Sequence, residues 1–100
     1  MDFLVEMEIC IPPDYDRELL ADLLKRERER AAELAERGTF FKQAWIVPCQ
    51  RARILICSAA DARELHETFA SMPAFRFGKF HVTPLVQSDV GSPICISGEA

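Results

Sequence analysis

Glycine is scarce in this 100-residue chain, four residues in all, and none sits in a phosphate-cradling loop, a P-loop or a G-x-S-x-G turn. Nucleotide-binding loops and the hydrolase nucleophile elbow are thereby excluded. The two histidines, His66 and His81, have no second ligand at metal spacing, and the four cysteines, Cys10, Cys49, Cys57 and Cys95, form no C-x-x-C pair. Zinc, thioredoxin-type chemistry and an iron–sulfur cluster find no support, and neither metal nor cofactor is expected. Positive charge is in deficit, with 12 Lys and Arg against 16 Asp and Glu, a net charge of −4 and a pI near 5.1. Nothing in that balance attracts DNA, RNA or an anionic membrane. No apolar run approaches the ~20 residues that span a bilayer. The segment from Met1 to Glu6 lacks the basic start and apolar core of a signal peptide. The expected location is the cytoplasm, where thiols stay reduced and, cysteine being among the most buried residue types, pack in the core.

What is present is the balance of a folded domain, 49% hydrophobic and 28% charged. One domain is expected over residues 1–87, followed by an extended Ser-, Gly- and Pro-rich tail over 88–100. Residues 3–10 alternate, with Phe3, Val5, Met7 and Ile9 on one face and Leu4, Glu6, Glu8 and Cys10 on the other, the pattern of a half-buried strand. Pro12 and Pro13 stop it. Asp14 and Asp16 then offer N-cap oxygens for a helix from about residue 16 to Arg37, closed by Gly38 in a left-handed conformation. Strands follow at 40–47 and 51–57, close enough for an antiparallel hairpin. Ser58 with Asp61 resembles a capping box for a second helix that runs to about Met72, with Ala62, Leu65, Phe69 and Met72 on one side. A last strand spans about 79–85. The order is βαββαβ, an α+β class with the ferredoxin-like topology. Both faces of the sheet carry apolar residues. One must receive the helices, so the other is expected to meet a partner subunit.

The first helix holds a carboxylate where an apolar residue belongs. Leu19, Leu23, Leu34, Leu20, Ala31, Leu24 and Ala35 sweep an arc of roughly 160° on a helical wheel, and Glu27 projects near its middle. An unpartnered buried carboxylate is costly. Either Glu27 pairs with an arginine across a gap, or it lines an apolar pocket between helix and sheet. In the pocket, desolvation raises its pKa toward the range useful for proton transfer. On that second reading Glu27→Leu stabilises the fold while abolishing activity. His66 flanks the apolar stripe of the second helix and is a second acid–base candidate, with a structural role as its alternative. Arg51 and Arg53, two apart on a strand, share a face; they can bind a substrate carboxylate or serve as solvated edge-strand charges. Trp45, Phe40 and Phe41 suit a core or an interface.

In this order the elements and several short motifs resemble the muconolactone delta-isomerase family, over nearly all of Phe3 to Leu85. The carriers are Pro13-Asp14-Tyr15-Asp16 after the first strand, Arg26-Glu27-Arg28-Glu29 and Glu36-Arg37-Gly38-Thr39 in and after the long helix, Trp45, Glu64-Leu65-His66-Glu67-Thr68, and Met72-Pro73 with Phe75. The resemblance implies a small cofactor-independent enzyme of aromatic catabolism that moves a double bond within an unsaturated lactone carrying a carboxylate. It implies a dimeric α+β barrel formed sheet to sheet, assembled further into a ring-like decamer. It also assigns proton transfer to a first-helix glutamate, the position of Glu27. The chain departs from the family where Ile46, not Arg, follows Trp45. It departs again where the turn reads Pro48-Cys49-Gln50-Arg51 without a tyrosine, and where Leu24 and Arg26 replace a lysine and an aspartate.

The expected function is therefore a proton-shifting isomerase with Glu27 as base and Arg51, His66 and Trp45 as substrate contacts, Arg51 or His66 steadying the enolate. The alternatives are a natural-product cyclase or isomerase of the same fold, a non-catalytic small-molecule-binding or assembly module, and a cofactor-independent monooxygenase. The expected partners are a small-molecule substrate and further copies of the chain, with the tail, through Val90, Pro93, Ile94 and Ile96, lying across a neighbouring subunit.

Overall fold

The computed structural model describes residues 1–88, so all but the first residue of the expected tail lies outside the described part. The elements run β1 (Asp2–Ile9), α1 (Arg17–Glu36), β2 (Phe41–Ile46), β3 (Ala52–Ser58), α2 (Ala62–Ala70), a short 3-10 turn (Phe75–Phe77) and β4 (Gly78–Leu85). The four strands form one antiparallel sheet in the order β2-β3-β1-β4. β3 is thus an internal strand, which removes the edge-strand reading of Arg51 and Arg53.

Cross-strand register assigns every side chain to a face, because directly opposed residues share one. Phe3 faces Cys57, Val5 faces Leu55 and Val82, and Met7 faces Arg53 and Phe80. Phe3, Val5, Leu55 and Cys57 are buried in one core with Leu34 of α1 and Leu65 and Phe69 of α2. This is the helix-covered side. Leu4, Glu6, Ile54, Ile56, Gln43, Trp45, Thr83 and His81 occupy the other side by the same register, and no helix of the described chain covers it. The two outer strands differ from the inner ones. β2 is irregular between Phe41 and Gln43, and β4 carries Pro84, which has no amide to donate.

Local chemistry accounts for the helix ends. The Asp16 carboxylate accepts from the amides of Glu18 and Leu19 at 2.9 and 3.0 Å, and Gly38, at φ +72°, turns the chain out of α1. At α2 the cap is Asp61 with Glu64, not Ser58 with Asp61. Asp61 Oδ1 accepts from Glu64 N at 2.8 Å and Glu64 Oε2 from Ala60 N at 2.7 Å, while Ser58 is still part of β3. The two helices are tied together where Arg30 of α1 donates to Ser71 Oγ from Nε (3.1 Å) and Nη2 (3.0 Å).

Two expectations about burial are corrected. Of the α1 arc only Leu23 and Leu34 are buried, whereas Leu19 is 57% and Leu24 41% exposed. The wheel is therefore wider than the surface that α1 has to cover. Among the described cysteines only Cys57 is buried, its inward strand position leaving no other outcome; Cys10 and Cys49 end up exposed in the connections after β1 and β2.

Candidate functional site

Glu27 lies half-buried on the inward-facing side of α1 and is anchored, but not by an arginine. Its Oε2 accepts a hydrogen bond from the amide of Ala74 at 2.9 Å. Ala74 is buried in the turn that leads from α2 into the 3-10 segment. A backbone amide thus holds one carboxylate oxygen and satisfies part of the polar demand that an apolar environment imposes. The arginine pairing is not formed, since among the described residues Glu27 has no ion pair. Two open clefts lie elsewhere on the described chain. One, of about 520 Å³, is lined by Met1, Asp2, Leu85, Val86 and Gln87, and the other, of about 250 Å³, includes Glu6, Met7, Glu8, Ala52, Lys79, Phe80 and His81.

Of the arginines of α1 near Glu27, Arg28 is exposed, and Arg26 and Arg30 are engaged with other groups. Arg26 Nε donates to Asp22 at 2.9 Å, and Arg30 Nη1 donates to Glu33 at 3.0 Å in addition to its bonds to Ser71. His66 stands near Glu27's anchor: its ring meets Phe75 edge-on at 5.9 Å between centroids, and Phe75 follows Ala74. Glu27 and His66 thus each contact the turn Pro73–Ala74–Phe75, at the Ala74 amide and the Phe75 ring.

The other expected contacts are placed apart. Arg51 is exposed in the bend before β3, close enough to Cys10 to affect its thiol. Trp45 is 50% exposed and opposes Ile54, so within one chain it lies on the sheet face turned away from Glu27. Arg53, by contrast, opposes Met7 and Ile46 and faces the helix side, as Glu27 does. Alternation with the buried Leu55 and Cys57 was the signal for that side. The amide of Ala74 had no such signal, since backbone donors carry no side-chain signature.

Two groups outside this region are ordered. Arg76 lies 4.6 Å from the Phe77 ring centroid and donates to Tyr15 Oη at 2.8 Å, joining the turn before β4 to the loop before α1. Cys10 Sγ donates to Glu8 Oε1 at 3.3 Å, and that bond, helped by the charge of Glu8, pushes the thiol pKa up. Burial pushes Cys57 up to about 12. Among the described residues no three His, Cys, Asp or Glu side chains converge in the way a metal ion requires, and no helix is long and apolar enough to cross a membrane.

Comparison with known proteins gives a consistent picture. The family model described as muconolactone delta-isomerase matches residues 1–89. The Muconolactone Delta-isomerase of Cupriavidus pinatubonensis is 31% identical over 87 residues, covering 87% of this chain and 94% of its own length. That of Rhodococcus opacus is 30% identical over 90 residues, covering 88% of this chain and 96% of its own. The crystal structure of muconolactone isomerase superimposes with a TM-score of 0.79 at 25% identity, over 97% of this chain and 98% of the other.

Proposed function

Since the chain belongs to the muconolactone delta-isomerase family, we propose that it is a cofactor-free isomerase that moves a proton, and with it a double bond, in an unsaturated lactone or related carbonyl compound, with Glu27 as base. The observation that carries the assignment is the anchored carboxylate. Ala74 N fixes Oε2, leaving Oε1 as the oxygen that can take a proton at a defined position. Orientation of this kind lowers the barrier to proton transfer without any second reactant.

The chemistry is a closed cycle. Glu27 removes a proton from the carbon beside the unsaturated carbonyl system, and the electron pair of that C–H bond moves into the conjugated enolate. The carboxylic acid so formed returns the proton to a different carbon of the same molecule, which relocates the double bond and regenerates the carboxylate. The role of steadying the enolate oxygen falls to His66, whose ring contacts Phe75 beside Ala74. Two copies pairing through the helix-free face give the ferredoxin-like domain its dimeric α+β barrel, and Trp45 then belongs to that interface.

The test is incubation of the protein with muconolactone in deuterated water. Deuterium should enter at one carbon during isomerisation, and Glu27→Gln should abolish both. Binding of muconolactone without exchange overturns the catalytic reading in favour of a binding module.

A further inference from the structure

We infer that Arg53 binds the anionic group of the substrate, which makes the chain selective for carboxylate-bearing over neutral carbonyl compounds; the inference rests on the isomerase reading above and deepens it. An anionic base that works on an anionic substrate needs a cation to offset repulsion between the two. On α1, Arg26 is engaged with Asp22 and Arg30 with Glu33 and Ser71, while Arg28, exposed and one residue on from Glu27, points about 100° away from it around the helix. Arg53 has no ion-pair or hydrogen-bond partner among the described residues, and its planar fork suits a carboxylate.

Its position is not that of an edge charge. β3 is internal to the sheet, so Arg53 protects no edge. It lies exposed between Met7, which packs against the core, and Ile46, itself 69% exposed, so its guanidinium is accessible to a ligand. Its level matches that of Glu27. Glu27 is bonded to Ala74, four residues before Gly78, which pairs with Ile9 at the C-terminal end of β1, and Arg53 pairs with Met7 near that same end. The carboxylate of α1 and the guanidinium of β3 therefore flank the same stretch of the helix–sheet layer.

The experiment compares muconolactone with its methyl ester on the full-length wild type, Arg53→Gln, Arg53→Lys and, as a charge control, Arg63→Gln. Arg53→Gln should raise KM for the acid ~10- to 100-fold, leave the ester nearly unchanged and spare kcat more than KM. Arg53→Lys should restore part of the preference, and Arg63→Gln should match wild type. An acid-to-ester preference that survives Arg53→Gln, or an equal loss on both compounds, overturns the inference while the isomerase reading stands. Where the wild type turns over neither compound, saturation-transfer NMR with muconolactone decides. Loss of its signal in Arg53→Gln alone upholds the anion site although the isomerase reading has failed, and an unchanged or absent signal in both proteins overturns it.

Discussion

A leucine at position 27 would leave the buried amide of Ala74 without an acceptor. Taking away the partner of a buried donor costs about 1–3 kcal/mol, against a gain of similar size from burying the larger apolar side chain. Glu27→Leu is therefore expected to lower the thermal midpoint or leave it level, where the helical wheel by itself implied a gain. Glu27→Gln, whose amide oxygen can still accept from Ala74, should melt within a few degrees of wild type while losing deuterium exchange; calorimetry beside the exchange assay checks both. The difference marks the limit of what the sequence contains. The misplaced carboxylate was legible at Glu27 from its neighbours on α1, but its partner is a backbone group 47 positions away that only the folded turn supplies. Cys57 gives a cleaner prediction. Burial raises its pKa from 9.0 to about 12, so the unfolded chain releases the thiol proton first. Its contribution to stability is whole below about pH 9 and is lost as pH climbs toward 12, by ~1.4 kcal/mol per pH unit. Denaturant titrations at pH 8 and pH 10.5 should show that decline in wild type and a shallower one in Cys57→Ala.

Elements were the most legible level, because periodicity and caps act locally. The alternation of Phe3, Val5, Met7 and Ile9 gave β1, and Asp16 and Gly38 bracketed α1, each end within a residue or two of where the structure sets it. At the cap of α2 the pattern is ambiguous: Ser58 and Asp61 share the spacing of Asp61 and Glu64, and only the end of β3 chooses between them. The β2–β3 connection contains a strain that no pattern announced. Gln50 N donates to Val47 O at 3.2 Å across a turn in which Cys49 takes φ +63°, a conformation that costs a side chain with a Cβ about 1–2 kcal/mol. Cys49→Gly is expected to stabilise the protein by about 1 kcal/mol, and Cys49→Val to destabilise it further, in paired chemical-denaturation curves.

At the scale of the whole molecule, no helix among the described residues covers one side of the sheet. Leu4, Ile54 and Ile56 are half-buried there beside Trp45, and an apolar strip of that kind on a small domain favours association. Introducing Ile54→Lys should shift the particle toward a monomer in light scattering and move the Trp45 emission to the red; a wild type already monomeric at micromolar concentration counts against the pairing. The routes of association are not equivalent. Pro84 withholds an amide from one rim of the sheet, and the irregular register of β2 spoils the opposite rim as a template. Recruitment of further chains strand by strand, which would propagate without end, is thus interrupted at both sides. A contact made face against face uses the same patch on each molecule and is used up once two have met. Pro84 and the β2 irregularity therefore act as chain terminators: they leave the polypeptide free to associate in closed sets while denying it the growing ends of a fibril.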